Sequence, residues 1–163
     1  MAVINEKFTI NTVGNNDIID VTKQVQNCVY QHALKDALVC VSIQGSTSAI
    51  TTIEYEEGLV MDLREALERI APTGLEYHHD EIWHDGNGYA HVRAALVGSS
   101  VNIFTPSVSS IFKSIISLGY RKARKPTRYI FFRCLILNKE NDISLLLMKE
   151  LRHLYYDFPI ILD

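Results

Sequence analysis

The sequence predicts a mixed α/β (α+β) fold in which helices pack on a sheet. Short β-rich runs alternate along the chain with stretches whose apolar residues recur at helical spacing. Size supports the same class, because 163 residues, 47% of them hydrophobic, can bury the core of one domain without disulfides or metals. The expected order of elements is strand, helix, strand, strand, helix, loop and strand.

Four segments have the composition of strands. Lys7–Val13 has the alternation of an opening strand, and Ala37–Gln44 is a short apolar run that fits a largely buried strand. Thr47–Glu54 is rich in threonine and isoleucine, which favour extended structure. The fourth segment, Ala90–Val97, has apolar residues at every second position, so we expect that face to be buried.

Two helices are expected between these strands. The first follows Asp20, whose carboxylate can cap the free amides of the first turn, and its apolar face includes Val21 and Val25. The second carries an apolar stripe that includes Leu63 and Leu67, and Pro72 ends it.

Composition excludes several classes of protein. No apolar run reaches the roughly 18 residues of a membrane span, and Met1–Thr9 lack the apolar core of a secretory signal. Three widely spaced cysteines do not form the pattern of a disulfide framework and favour a reducing compartment. We therefore expect a soluble, cytoplasmic protein without a membrane partner.

The segment Tyr77–Gly88, predicted as a loop, holds three of the six histidines and the only tryptophan. On the predicted strand that follows, His91 and Arg93 share one face and would point to a cleft within reach of it. Imidazoles with a carboxylate can bind a divalent metal, whereas a guanidinium with histidines can bind phosphate and exchange protons. An ordinary polar loop beside an exposed strand face explains the same residues, because their spacing matches no strict metal motif.

Several motifs in the first part of the chain resemble the YjbQ family. They are the hydroxyl-rich run Gly45–Glu56, the sequence Tyr77–Asp80, the turn Asp85–Gly88 and the run Ala90–Gly98. The resemblance covers roughly residues 5–103. It implies a compact, mainly antiparallel α/β fold with two helices packed on the sheet. It also implies a homotrimer whose polar pocket, near the subunit interface, holds a metal or an anion.

The resemblance further implies a function. The family is associated with a secondary thiamine-phosphate synthase activity, a transferase reaction that joins a pyrimidine diphosphate to a thiazole phosphate. The resemblance implies that the catalytic residues are His79, His91 and Glu54, that the phosphate-binding residues are Arg93, Ser46, Thr47 and Asn87, and that the ligands of a zinc or magnesium ion are His79, His91 and Asp85.

The alternative function is a non-enzymatic homotrimer that binds a small anion or a metal. Its expected partners are further copies of the chain and a small phosphorylated ligand, not nucleic acid. One departure from the family concerns the metal, because many members have a histidine where Gly45 and Ser46 stand here.

A second departure divides the chain into a YjbQ-like domain, residues 1–103, and a divergent basic segment, residues 104–163. Residues 1–104 hold 6 Lys or Arg against 14 Asp or Glu, whereas residues 105–163 hold 10 against 5. Three explanations stay open: a replacement domain whose basic run Arg121–Lys125 binds a polyanion, a solvated tail, or a segment read out of frame. The patterns in this segment predict a helix over Ser110–Leu118, a strand over Tyr129–Leu137 and a helix over Ile143–Tyr156.

Overall fold

Seven strands and four helices form the part of the chain that the computed structural model describes, which is residues 2–14, 16–34, 37–104, 114–119 and 127–136. Five of these strands and the four helices lie within the first 104 residues, and two strands follow them. The elements are β1 (Ala2–Asn11), β2 (Asp17–Asp20), α1 (Thr22–Gln31), β3 (Ala37–Ile43), β4 (Ser48–Ile53), α2 (Glu57–Ile70), α3 (His78–Trp83), α4 (Gly88–Val97), β5 (Ser100–Phe104), β6 (Ser114–Gly119) and β7 (Thr127–Ile136).

The strands pair in two antiparallel sheets. The first sheet has the order β1-β7-β3-β5, and the second has the order β2-β6-β4. The predicted mixed α/β class with mainly antiparallel pairing is confirmed. The structure adds a division into two sheets and two helices that the sequence patterns did not indicate.

One apolar core lies between the first sheet and α1. Strand β3 buries every second residue, as a strand with one covered face does, so Val39 and Val41 are fully inaccessible to solvent. Helix α1 contributes Val25 and Val29 to the same cluster. Asp20 accepts a hydrogen bond from the Thr22 backbone N–H, although the cap position itself belongs to the next residue, so the predicted start of this helix is displaced by one position.

A second core joins the second sheet to α2 and α4. Its members come from all three strands of that sheet, from α2 and from one side of α4, where Ala90 and Ala94 are one helical turn apart. Helix α2 forms as predicted, and the Glu56 side chain caps it by accepting hydrogen bonds from the backbone N–H groups of Gly58 and Leu59. This second core holds α4 in place, and α4 carries much of the candidate site.

The predicted strand Ala90–Val97 is wrong, because these residues lie in helix α4. The alternating pattern was ambiguous, since alanine is apolar in either periodicity and is also the strongest helix former. The buried residues Tyr89, Ala90, Arg93 and Ala94 instead follow helical spacing. The strand of this region is β5, which begins three residues after α4 ends.

Two strands from beyond residue 104 occupy central positions in the sheets. Strand β7 lies between β1 and β3, and β6 lies between β2 and β4. The strand predicted over Tyr129–Leu137 is confirmed as β7, whereas the helix predicted over Ser110–Leu118 is wrong where it overlaps β6. The basic run Arg121–Lys125 and the helix predicted over Ile143–Tyr156 lie outside the described residues.

Among the described helices, none combines the length and the apolar character that crossing a membrane requires.

Candidate functional site

Two histidines meet where helices α3 and α4 pack together. His79 lies in the first turn of α3, and His91 lies in the first turn of α4. Their ring centroids are 4.4 Å apart, with an angle of 48° between the ring planes. Residues 78–83 of the segment predicted as a loop form helix α3. This helix places the ring of His79 beside the ring of His91, and both residues were predicted to bind one metal ion.

Two aspartates complete a cluster with His79. The Nε2 atom of His79 lies 3.5 Å from Oδ1 of Asp85, and one ligand atom from each of His79, Asp80 and Asp85 lies within 4.8 Å of the others. Asn87 donates from Nδ2 to Oδ2 of Asp85 at 2.7 Å, which fixes the orientation of that carboxylate. Of the predicted metal ligands, His79 and Asp85 are in the cluster and His91 lies beside it.

Asp80 is the member of the cluster that the sequence did not single out. Its Oδ1 atom accepts hydrogen bonds from the backbone N–H groups of Asn87 and Gly88, both at 2.9 Å. Free N–H groups at a helix start favour a negative charge, so this carboxylate of α3 ties down the first turn of α4. Asp80 thereby fixes the geometry between the two helices that carry the histidines.

A close backbone approach also joins the two helices. A Cβ atom added to Gly88 would lie 2.4 Å from Cβ of Tyr77, the residue immediately before α3. The Tyr77 hydroxyl donates to the Pro72 carbonyl oxygen at 2.8 Å, so the ring cannot move aside without losing that bond. Only glycine therefore fits at the start of α4.

We expect Gly88→Ala to lower the free energy of unfolding by about 1–3 kcal/mol, because the new methyl group overlaps the Tyr77 side chain. Gly74→Ala is the matched control, since a Cβ atom at that position meets nothing within 4 Å. Urea denaturation of both variants measures the difference. Equal stability of the two variants would contradict the close packing of Gly88 against Tyr77.

The donor atoms of the cluster fit a divalent cation. Imidazole nitrogens suit zinc, and carboxylate and amide oxygens suit magnesium or manganese. The side chain of His79 is 32% exposed and that of Asp85 is 22% exposed, so the cluster is accessible from solvent. The Oδ1 atom of Asn87 is buried, and among the described residues it has no hydrogen-bond partner, which a cation or its water would supply.

Arg93 does not lie on the open face that the strand prediction assigned to it. Its side chain is fully buried, and Nε and Nη2 donate to the carbonyl oxygen of Ala71 at 2.8 and 2.6 Å. Nη1 donates to Oδ1 of Asn16 at 2.6 Å, and Nη2 also pairs with the carboxylate of Glu68. The prediction that Arg93 binds phosphate loses its basis, because the guanidinium is engaged within the fold.

The surroundings of this arginine alter two titrating groups. The Thr73 backbone N–H and the Arg93 guanidinium lower the pKa of the Glu68 carboxyl below its ordinary value. Burial raises the pKa of the Tyr77 hydroxyl. Glu68 is therefore held in its charged form beside Arg93, as a structural ion pair requires.

The remaining predicted residues lie on or beside strand β4. Glu54 is exposed just after its end, Ser46 is exposed in the turn before it, and Thr47 is buried immediately before its first residue. Among the described residues, the group formed by His79, Asp80 and Asp85 is the one cluster of three potential metal ligands, and it does not include Glu54. The catalytic role of Glu54 and the phosphate-binding roles of Ser46 and Thr47 stay predictions.

Comparison with known proteins identifies relatives over much of the chain. The family model of the UPF0047 protein YjbQ-like matches residues 6–109. A UPF0047 protein of Archaeoglobus fulgidus is 39% identical over 95 residues, which are 58% of this chain and 71% of the relative. A UPF0047 protein of Methanothermobacter thermautotrophicus is 30% identical over 103 residues, which are 63% of this chain and 71% of the relative.

A solved structure shares the fold. The crystal structure of a YbjQ-like protein of unknown function from Sulfolobus solfataricus P2 superimposes with a TM-score of 0.76 at 21% identity, covering 83% of this chain and 99% of that chain. The likeness extends beyond the span of the family model, so the similar fold includes residues after position 109.

Proposed function

This chain belongs to the UPF0047 family of YjbQ-like proteins, and we propose that it binds a divalent metal ion between α3 and α4 and receives a small phosphorylated ligand there. The observation that carries the proposal is the convergence of His79, Asp80 and Asp85 within 4.8 Å, beside the ring of His91. Nitrogen and carboxylate donors in a partly exposed cluster are typical of metal sites that accept a ligand.

Electrostatics explain why a phosphate needs a cation at this place. The cluster contains two carboxylates, and the first amides of α4 already donate to Asp80. A phosphate that approached these groups alone would meet repulsion between like charges. A bound divalent ion supplies positive charge that holds the phosphate and stabilises a diphosphate leaving group.

The reaction we propose is the one that the family resemblance implies, the displacement of diphosphate from a pyrimidine diphosphate by a thiazole phosphate. In this role His79 and Asp85 would hold the ion, and Asn87 fixes the orientation of the Asp85 carboxylate. His91 lies against His79, where it can hold or release a proton near the reacting groups.

The test compares thiamine-phosphate formation by the wild-type protein and by the double variant His79→Ala, His91→Ala, with Mg²⁺ present. We expect the double variant to lose at least about 100-fold in rate, because positioned acid–base and ligand groups contribute that much. His78→Ala is the matched control, since that neighbouring side chain is 98% exposed, and it should stay within about twofold. An unchanged rate in the double variant would remove the catalytic assignment, and a wild-type protein that binds metal and phosphate without product would support the non-enzymatic alternative.

The proposal includes self-association as a homotrimer. Helix α4 presents Val92, Ala95 and Leu96 to solvent on one side, where a solvated helix would carry polar residues, and Leu96 is 60% exposed. Covering this apolar strip with a second copy would stabilise an assembly close to the candidate site.

Light scattering measures the assembly directly. We expect a mass about three times the 18.5 kDa of one chain, and a lower mass for Leu96→Glu because a charge in the strip opposes burial. Val13→Glu is the control, since Val13 is 79% exposed on the turn between β1 and β2, and it should keep the wild-type mass. A single-chain mass for the wild type would contradict the trimer.

A further inference from the structure

Trp83, the only tryptophan of the sequence, is a large apolar side chain that the fold leaves open. It ends helix α3 and is 69% exposed. Tryptophan is highly buried on average in folded proteins, because its ring carries a large apolar surface. Its exposure beside a polar cluster is therefore an informative feature of this surface.

The Trp83 ring is part of a row of aromatic rings. It stacks on His79 with ring centroids 6.5 Å apart and an angle of 29° between the planes. His79 in turn lies against His91, at 4.4 Å between centroids. Trp83 and His79 are four residues apart on one helix, so α3 itself sets this arrangement. His79, the middle ring of the row Trp83–His79–His91, is the member that belongs to the cluster with Asp80 and Asp85, and Trp83 is the exposed ring at one end.

We propose that this row binds the planar ring of the ligand, so that the site selects aromatic phosphate esters over aliphatic ones. The inference rests on the proposed function, because it places the phosphate at the cluster of His79, Asp80 and Asp85. A ligand with a flat ring at one end and an anionic group at the other matches a surface that is aromatic at Trp83 and metal-binding beside His79. The exposed ring of Trp83 offers the area for stacking.

A small ligand fits this surface better than a second protein chain does. The apolar strip of α4, Val92, Ala95 and Leu96, contains no titrating group, whereas the Trp83 ring lies 6.5 Å from the ring of His79, which faces the Asp85 carboxylate. Interfaces between copies also contain polar groups, but an aromatic surface beside a cluster of potential metal ligands can distinguish small ligands by both ring and charge. Trp83 is thus a specificity-determining residue of the same site.

The experiment measures the affinities of three probes by calorimetry in saturating Mg²⁺: inorganic phosphate, cyclohexyl phosphate and phenyl phosphate. Cyclohexyl phosphate matches phenyl phosphate in size but has no flat ring. We expect the full-length wild type to bind phenyl phosphate about fivefold more tightly than cyclohexyl phosphate, because aromatic stacking adds to the effect of apolar area. Since Trp83 is the only indole, phenyl phosphate should also change the tryptophan fluorescence.

Two variants separate stacking from structure. Trp83→Ala should bind phenyl and cyclohexyl phosphate with equal affinity and keep the wild-type affinity for inorganic phosphate, whereas Trp83→Phe should keep most of the preference for the ring.

No preference for the phenyl ring in the wild type, or the same preference in Trp83→Ala, would overturn this inference but not the proposed function. A lower mass of Trp83→Ala in light scattering with unchanged ring preference would assign Trp83 to a contact between copies and overturn it too. A wild type that binds no inorganic phosphate with Mg²⁺ would overturn the proposed function, and this inference with it.

Discussion

Replacing Arg93 by leucine is expected to lower the free energy of unfolding by about 3 kcal/mol, a large loss for a single substitution. The guanidinium is fully buried, and it joins the carbonyl oxygen at the end of α2 to Asn16 in the turn between β1 and β2. It also lies 5.1 Å from the centre of the Tyr89 ring and pairs with Glu68. Leucine fills part of the space but leaves these acceptors without a donor.

Arg69→Leu is the matched control for Arg93→Leu. Its guanidinium is 69% exposed and lies 3.7 Å from Glu65 in a pair one helical turn apart, so its loss should change the free energy by less than about 0.5 kcal/mol. Urea denaturation compares the two variants. If Arg93 were instead a phosphate ligand, Arg93→Leu would have the same free energy of unfolding as Arg69→Leu and would lose affinity for phosphate. That result would contradict the structural role of Arg93.

Removal of divalent cations is expected to lower the affinity for inorganic phosphate by at least about 100-fold. The reason is the charge of Asp80 and Asp85, which opposes an anion unless a cation lies between them. Calorimetric titration of phosphate in EDTA and in Mg²⁺ measures the effect on the same protein.

Readdition of the metal is the internal control for that titration. Zn²⁺ or Mg²⁺ should restore phosphate binding in the wild type and in His78→Ala, but far less in Asp85→Asn, which lacks a ligand of the ion. Phosphate that binds equally well in EDTA would show that the site attracts anions without a metal, and would contradict the electrostatic account.

Local sequence patterns were sufficient to predict the secondary structure of the elements that bury one face. The alternation of Ala37–Ile43 agrees with its burial, and the apolar spacing of α2 predicts the helix, in which Val60 and Leu67 are the buried residues. The run Ala90–Val97 was compatible with two structures, because its apolar residues fit the alternation of a strand as well as the spacing of a helix. Asn87 before the run and Gly98 after it were signals of helix ends that favoured the helix.

The sequence indicated part of the candidate site but not its geometry. His79 and Asp85, two of the predicted metal ligands, lie in the cluster, and His91 lies beside His79. The cluster role of Asp80 and the burial of Arg93 depend on contacts between α3, α4 and the end of α2, which no local pattern contains. An arginine two positions after a histidine shares its face in a strand but not in a helix, and here helix α4 turns Arg93 into the core.

The most direct test of the metal proposal is a titration of the metal-stripped, full-length protein with Zn²⁺ and with Mg²⁺. We expect one of these ions to bind the wild type and His78→Ala at about one ion per chain, and its affinity to fall by at least about 100-fold in the double variant His79→Ala, Asp85→Asn. The affinity is expected to fall because the double variant lacks two of the three potential ligands in the cluster. Absence of binding in the wild type, or equal binding in the double variant, would contradict a metal site between α3 and α4.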